Sequence, residues 1–404
     1  MLKKLNRVLT EKNIGVGYLY FYVHFICEIV CFYMLEKLLG DSVFLWFCPL
    51  IYDALAFVPQ GVIGYLSDKF PELKMGLIGI VLLCLALLVD KIVFVGFFPV
   101  LNYLPIIIVA IGNAFIHVNG AEVTLRASNG KLSHSSIFVA GGSFGVVTGK
   151  ILAKFRIPSY VIFILTLTAI PFALLAEYYR KNADKNKLPC SNFNYANPNL
   201  SASIVIALAV LVVFVRSYMG YGLPTSWNKT LIQTIILYFA MGFGKALGGI
   251  LSDAYGIRKV ATISTVLSLP FLLFGDNIML ISIIGVMFFS MTMAITLGLI
   301  VSKLKSTPGL AFGFTTIGLF LGFVPTFFFK LSYGIINNFI ISFLTLICWL
   351  ILLKILRKES KNNGWIWVCI SWFEFDYCAV YYIGFNNFNY DWNYNLFYKS
   401  RIKK

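Results

Sequence analysis

Long apolar runs recur along the chain, and short polar segments separate them. Because the runs are continuous and do not alternate between apolar and polar positions, they favour membrane helices over a transmembrane β-barrel. Twelve of the runs are close to the roughly 20 residues that a helix needs to cross a bilayer. They lie at about 16–35, 43–65, 75–90, 98–119, 134–153, 159–178, 202–221, 230–250, 259–275, 278–301, 308–329 and 334–353. The pattern predicts an all-α integral membrane protein with twelve transmembrane helices.

The composition supports this prediction. Hydrophobic residues make up 59% of the chain and charged residues 12%. Soluble domains are about 45–50% apolar and about 25% charged, so the composition excludes an ordinary soluble domain as well as a disordered chain. The eight cysteines include no C-x-x-C pair. The sequence therefore predicts neither a metal site nor a cofactor.

One polar stretch, Arg180 to Ser201, is the longest between predicted spans and has the composition of a solvated linker. It divides the twelve spans into two sets of six. The segment from Gly364 to Gly384 contains Glu374 and Asp376, which favours a position in the membrane interface over a thirteenth span. The predicted domains are an N-terminal six-helix bundle at 1–179, a cytoplasmic linker at 180–201, a C-terminal six-helix bundle at 202–357 and an aromatic-rich tail of unknown role at 358–404.

The distribution of basic residues predicts the orientation. Lys and Arg outnumber Asp and Glu by 33 to 17, and the net charge is +16. With the N-terminus inside the cell, sixteen basic residues fall in the N-terminal segment and the inner loops, six in the outer loops and eight in the tail. Basic residues concentrate on the cytoplasmic side of membrane proteins. We therefore expect a multi-pass protein of the cell (plasma or inner) membrane with both termini cytoplasmic, whose positive charge contacts lipid headgroups and not nucleic acid.

Two similar segments occur at the same place in the two halves, each at the end of the second span. The first is Gly64-Tyr65-Leu66-Ser67-Asp68 and is followed by Lys69; the second is Gly249-Ile250-Leu251-Ser252-Asp253 and is followed by Gly256, Arg258 and Lys259. Matching positions are what a parallel repeat about the membrane normal produces. The pair resembles the loop signature of the major facilitator superfamily, Gly-x-Leu-x-Asp-Arg-x-Gly-Arg-Lys, present once per half. The resemblance implies two pseudo-symmetric six-helix bundles and a secondary transporter.

The chemistry of this motif can be argued without the resemblance. Glycine lets two helices approach closely, so Gly64 and Gly249 are expected at helix contacts. The carboxylates of Asp68 and Asp253 can pair with a basic side chain or with a helix N-terminus across the bundle. Such a contact would favour one access state of a transporter. The alternative is a tight turn that carries a solvated acid.

Two glycine-rich stretches carry further resemblances. Gly141, Gly145 and Gly149 lie four residues apart in the fifth span and make one smooth helix face. This face resembles the antiporter motif of the superfamily, and ordinary helix packing is the alternative. In the fourth span, Gly112–Gly120 contains His117 and is similar to a stretch of fosmidomycin-resistance and drug-efflux members. The resemblances favour an antiporter that works in efflux.

Ionisable side chains at membrane depth cost roughly 2.5–3.5 kcal/mol on insertion scales, so each of them needs a reason. His24 and Glu28 lie one turn apart on one face of the first span. They are candidates for coupling proton movement to substrate movement, and a self-satisfied structural pair is the alternative. Asp53 in the second span is a candidate to bind a proton or a cationic substrate, unless it is hydrogen-bonded to a neighbouring helix.

Three basic groups complete the set of candidates. Arg216 lies inside the seventh span, where it is expected to hold an anionic substrate with two hydrogen bonds, to neutralise Glu28 or Asp53, or to extend to the interface. His117 is expected either to pack or to relay a proton. Lys245 is expected to reach the cytoplasmic interface.

The leading hypothesis is a secondary transporter that exports a small molecule by alternating access, with proton coupling. Its predicted partners are the substrate, protons and the lipid bilayer, and it is expected to be a monomer. One alternative is an importer of an organic anion held by Arg216. A second is an integral-membrane enzyme, which three histidines and the lack of a catalytic cluster or a P-loop make unattractive. A third is a receptor of the same fold that transports nothing.

Overall fold

The computed structural model of the protein describes residues 2–11, 13–40, 48–90, 103–181, 190–329 and 334–358. Within these ranges the chain is helical, and the extended contact that occurs is an isolated bridge between Ala196 and Leu356. The tail from residue 359 onward lies outside the described residues, and so do the predictions made for it.

Twelve apolar helical segments follow a short N-terminal helix, Leu2–Leu9, in the described part of the chain. Eleven of them are long and apolar enough to cross a membrane, and the third, Met75–Val89, is shorter. We call them spans 1 to 12: Ile14–Leu38, Cys48–Lys69, Met75–Val89, Leu104–Ala127, Ser133–Lys154, Ser159–Tyr179, Ala202–Gly220, Leu231–Tyr255, Ile257–Phe274, Met279–Lys303, Pro308–Phe328 and Ile335–Ile355. Spans 1 to 6 and spans 7 to 12 are the two halves. The predicted all-α membrane fold is confirmed.

Four spans are built from two helices each. Proline, which has no backbone N–H to donate, lies at two of these breaks, as Pro59 in span 2 and Pro325 in span 11. The helix pairs are Cys48–Phe57 with Gln60–Lys69, Ser159–Leu167 with Ala169–Lys181, Met279–Ser290 with Met293–Lys303, and Pro308–Phe323 with Pro325–Phe328.

Span 4 continues about two turns beyond the predicted end at residue 119, to Ala127. These added turns carry Glu122 and Arg126, which a pattern of apolar residues does not include. Both side chains are held by the end of span 2, because Ser67 donates a hydrogen bond to Glu122 and Arg126 pairs with Asp68. Polar partners therefore extend the helix where hydropathy alone would end it.

Spans 1 and 5 pack backbone to backbone along the glycine face. A Cβ atom on Gly145 would lie 2.4 Å from the carbonyl oxygen of Phe25 and 2.7 Å from Cβ of Glu28. Gly141 and Gly149 face carbonyl oxygens of span 1 in the same way, at 2.3 and 2.6 Å. Only a residue without a side chain fits these positions, so the face sets the distance between the two helices.

One added methyl group on this face is expected to destabilise the protein. Gly145→Ala forces the two backbones apart, and overpacking of this kind costs about 1–3 kcal/mol. We expect a lower midpoint of thermal unfolding in detergent. Gly220→Ala is the matched control, because a Cβ atom there meets nothing within 4 Å. Equal midpoints for the two variants would show that the glycine face does not limit packing.

The described part of the predicted linker, Cys190 to Leu200, packs against the loops that join the spans, whereas the sequence predicts a solvated segment. Phe193 is fully buried, and the hydroxyl of Tyr195 donates to the carbonyl oxygen of Gly130. Burial, and after it the charge of Asp253, raises the pKa of Tyr195 well above its ordinary value. The phenol therefore stays protonated and remains a donor. Residues 182–189 lie outside the described ranges.

Candidate functional site

The first copy of the repeated motif ends in a carboxylate that binds the N-terminus of span 11. Asp68 Oδ1 accepts the backbone N–H of Gly309 at 3.0 Å, and its Oδ2 accepts that of Leu310 at 2.9 Å. Helix N-termini favour carboxylates because their N–H groups lack partners and the helix dipole is positive there. A Cβ atom on Gly64 would lie 2.3 Å from the carbonyl oxygen of Gly309, so the approach needs glycine. We call this contact the first latch.

The second copy makes the equivalent contact, the second latch, with span 5. Asp253 Oδ1 accepts the N–H of Leu132 at 2.9 Å, and its Oδ2 accepts that of Ser133 at 2.8 Å. A Cβ atom on Gly249 would lie 2.7 Å from the carbonyl oxygen of Leu132. Each latch thus joins the second span of one half to the fifth span of the other.

Both latches lie at one end of the helical bundle, which we call the motif end. The first latch contains Arg126 in the last turn of span 4, and the second contains Leu132, which immediately precedes span 5. Spans 4 and 5 are joined by a short loop, so the two contacts are neighbours. The two halves are therefore held together at this end by four charge-assisted hydrogen bonds.

The other residues of the motif take part unequally. Lys69 is exposed, with its ammonium 5.4 Å from the ring centre of the next residue. Gly256 has a φ of +100°, a conformation that favours glycine, and separates span 8 from span 9. Arg258 Nη1 donates to the carbonyl oxygen of Leu353 at 2.9 Å, which ties span 9 to the end of span 12. Lys259 is half-buried.

A second set of charges supports the first latch, and sequence reasoning missed it. Arg126 Nη2 lies 3.3 Å from Asp68 Oδ1, and its Nε donates to Glu122 Oε1 at 2.8 Å. Ser67 donates to the other oxygen of Glu122. The available signal was the spacing of four between Glu122 and Arg126, which places the two side chains on one helix face.

A cavity of about 360 Å³ lies between the halves. Its wall contains all five ionisable residues proposed from the sequence: His24, Glu28, Asp53, His117 and Arg216. Tyr221 and Leu223, which follow the end of span 7, also line it. The cavity therefore extends from the middle of the bundle toward the end opposite the motif end.

On the wall formed by the first half, two histidines converge on one carboxylate. Glu28 Oε1 lies 3.5 Å from His24 Nε2 and 3.2 Å from His117 Nε2. Asn113 Nδ2 donates to the same oxygen at 3.0 Å. The side chains of His24, Glu28 and His117, which we call the cluster, are buried. Their ligand atoms lie within 4.8 Å of one another, and no other such group of three was found among the described residues.

The sequence pairs His24 with Glu28 but does not place His117 beside them. A spacing of four within span 1 is a local signal, whereas the contact with span 4 depends on how the two helices are rotated. Asn113 was also missed, although a lone amide in an apolar run is a signal that can be read. It lies four residues before His117, and its backbone carbonyl oxygen faces the Nδ1 of that histidine at 3.0 Å.

Three further ionisable side chains line the cavity without a charged partner. Asp53 has no hydrogen bond or ion pair to any described residue, and neither has the side chain of Lys245. Arg216 donates to the backbone carbonyl oxygen of Phe289, and its Cζ atom lies 4.0 Å from the centre of the Phe289 ring. Of these three side chains, the acid lies on the first half and the two bases lie on the second.

Two expectations about the basic residues differ from the structure. Arg216 forms no ion pair with Glu28 or Asp53 among the described contacts, because a backbone carbonyl and an aromatic ring hold its guanidinium. Lys245 lines the cavity between the halves, whereas the sequence predicts that it reaches the cytoplasmic interface. Lys150 pairs with Glu36 at 3.0 Å, a contact between spans 5 and 1.

Comparisons with known proteins find solved structures of the same fold. The fucose:proton symporter FucP of E. coli, in two crystal structures of which one is in the outward conformation, matches with TM-scores of 0.58 and 0.59 at 11% identity. Each match covers 85% of this chain and 99% of FucP. The human organic anion transporter MFSD10 (TETRAN) matches with a TM-score of 0.56 at 12% identity, covering 84% of this chain and 99% of its own. No family profile and no curated protein sequence matches the chain.

These matches establish the fold. The chain shares its fold with FucP, which is described as a major facilitator superfamily transporter, and has many apolar helices in a multi-pass arrangement. The structures named above are described as a symporter or a transporter. The predicted likeness to the drug-efflux type stays a prediction.

Proposed function

We propose that the protein is a secondary active transporter that moves a small molecule across a membrane by alternating access. The observation that carries this proposal is the pair of latches, which close the motif end over a cavity lined by charged side chains. Transporters of this kind bind substrate near the middle of the membrane, where two repeats meet. The moving bodies are the predicted domains 1–179 and 202–357.

The motif end is proposed to face the cytoplasm. The N-terminal segment and the loops at this end carry sixteen of the basic residues, which is the arrangement favoured on the inner side of a membrane. Both termini are then cytoplasmic, and the latched state is closed to the cell interior. The membrane in question is the cell (plasma or inner) membrane.

Asp53 is proposed to carry the coupling proton. A carboxylate without a partner in a low-dielectric cavity is favoured in its neutral form, so substrate and membrane potential can readily change its protonation. Its position on the cavity wall lets it meet protons and substrate in the same space. FucP is described as a proton symporter, which is consistent with this type of coupling. The predicted proton role of His24, Glu28 and His117 stays a prediction.

Replacing Asp53 with asparagine is expected to separate substrate movement from proton movement. The protein is reconstituted into vesicles that contain a pH-sensitive dye and a chelator, and sugars, amino acids, carboxylates and amphipathic cations are added in turn. The native protein should move protons with at least one of them. Asp53→Asn should lose at least about 90% of this proton signal and keep exchange of labelled substrate across the membrane, because exchange needs no net proton transfer.

Asp276→Asn is the control for this experiment. Asp276 lies in the loop between spans 9 and 10, where it accepts hydrogen bonds from Ser226, and it is not among the residues that line the cavity. A proton signal that survives in Asp53→Asn would remove Asp53 from the coupling mechanism. Absence of any flux, in the native protein and both variants, would favour the receptor alternative.

An organic anion is the second candidate substrate, and one observation favours it. Arg216 and Lys245 face the cavity from the second half, and among the described residues neither has a carboxylate partner. MFSD10 is described as an organic anion transporter. The efflux direction favoured by the sequence stays a prediction. It was based on Gly141, Gly145 and Gly149, which pack against span 1, and this helix contact specifies no direction of transport.

A further inference from the structure

Both histidines of the cluster use Nδ1 to hold the backbone. His24 Nδ1 lies 2.9 Å from the carbonyl oxygen of Phe138, and His117 Nδ1 lies 3.0 Å from that of Asn113. A carbonyl oxygen can only accept, so each Nδ1 must carry the proton and donate it. In a neutral imidazole the other nitrogen, Nε2, then carries a lone pair.

These lone pairs point at an anion. Both Nε2 atoms lie within 3.5 Å of Glu28 Oε1, so three electron-rich atoms face one another in a buried site. Asn113 supplies one N–H to this oxygen, which leaves both imidazoles without a donor opposite them. A proton on one Nε2 or a metal cation between the three atoms would satisfy this arrangement.

We propose that His24, Glu28 and His117 bind a divalent first-row transition-metal cation such as Zn²⁺. Two histidines and one glutamate are an established ligand set for zinc with an open fourth position. With metal–ligand bonds of about 2.0–2.1 Å, tetrahedral ligands lie about 3.3 Å apart. The contacts of 3.5 and 3.2 Å to Glu28 Oε1 have this length. Histidine ligands commonly donate their other N–H to a backbone carbonyl, as both do here.

The surroundings of the cluster provide access and support. All three side chains line the cavity, which gives a cation a route to them. The absence of a side chain at Gly142 provides the space for the His24 ring, because a Cβ atom on Gly142 would lie 2.6 Å from His24 Nε2. Asn113 Oδ1 is buried and accepts no hydrogen bond from the described residues.

This site is separate from the proposed proton carrier. Asp53 makes no hydrogen bond or ion pair with the cluster among the described residues, and its proposed role does not require a metal. The inference does not depend on transport, because it concerns equilibrium binding of a cation. The sequence-based interpretation of His24 and Glu28 as a coupling pair stays a prediction beside it.

The test is a titration of purified, tag-free, metal-stripped protein with Co²⁺, which reports coordination through its visible absorption, followed by displacement with Zn²⁺. We expect one Co²⁺ per chain. His24→Asn and His117→Asn are designed to keep a side-chain N–H for the backbone carbonyl while deleting the ligand atom. Each of these variants and Glu28→Gln should weaken binding at least about 10-fold.

One variant serves as a control, and one serves as a second probe. His134→Asn removes the remaining histidine of the chain and should bind Co²⁺ within about twofold of the native protein. Gly142→Ala displaces the His24 ring without removing a ligand and should also weaken binding, which keeps the test informative if a ligand variant fails to fold. The proposal is overturned if Co²⁺ does not bind with saturation, or if the His24→Asn/His117→Asn double variant binds it like the native protein. Either result leaves the proton experiment on Asp53 unaffected.

Discussion

Replacing Asp68 and Asp253 together with asparagine is expected to open the motif end. Each carboxylate accepts two backbone N–H groups at a helix N-terminus, and hydrogen bonds to charged groups contribute about 1.5–3 kcal/mol each. Asparagine keeps one acceptor oxygen and loses the charge. A loss of about 2 kcal/mol per latch changes the ratio of closed to open molecules roughly 30-fold, or roughly 1,000-fold for two independent latches.

This shift can be measured as a distance distribution between spin labels. Leu73 lies in the loop between spans 2 and 3, and Ser306 precedes span 11; both are exposed at the motif end. Cysteines at these positions, in an otherwise cysteine-free protein, carry the labels. The double variant should show a longer distance, and Asp276→Asn should show the native one. A distribution unchanged in the double variant would mean that the latches do not hold the closed state.

Replacing Arg216 with glutamine is expected to abolish transport of organic anions if they are the substrate. The guanidinium is fixed by the carbonyl oxygen and the ring of Phe289, and this leaves its other N–H groups for a carboxylate in the cavity. Loss of a buried, hydrogen-bonded charge from such a pair costs about 2–5 kcal/mol, so uptake should fall at least about 30-fold. Arg216→Lys should recover part of it, since lysine keeps the charge but not the planar contact.

Uptake of labelled aromatic and aliphatic carboxylates into vesicles measures this effect. Lys229→Gln is the control, because Lys229 is exposed in the loop before span 8 and is not among the residues lining the cavity. Uptake that is the same in Arg216→Gln and in the native protein would exclude an anion held by Arg216. It would leave the alternating-access proposal intact.

The membrane fold could be predicted because its signals are local. Each apolar run specifies a span, and the repeated Gly-x-Leu-Ser-Asp segments indicate two related halves. The ends of the spans were harder to predict, as span 4 shows. Glu122 and Arg126 are helical because Ser67 and Asp68 lie beside them. Hydropathy contains no information about that contact.

The candidate site was predicted as a set of residues but not as an arrangement. A charge inside an apolar run is visible in the sequence, so the five ionisable residues were found. Their partners depend on the rotation of helices far apart in the chain. Asp68, for example, binds Gly309 and Leu310 across 241 and 242 residues. For the same reason the contact of Arg216 with Phe289 was not foreseen.

The two latches are related by pseudo-symmetry, but their surroundings differ. Asp68 has a cation, Arg126, within 3.3 Å, whereas Asp253 has no ion pair among the described contacts and accepts two backbone amides. Release of the closed state should therefore be sequential, with the joint between spans 8 and 5 yielding before the joint between spans 2 and 11. Such an order would create an intermediate in which the second latch is broken and the first is intact. In this intermediate the motif end would be open less widely than after release of both latches.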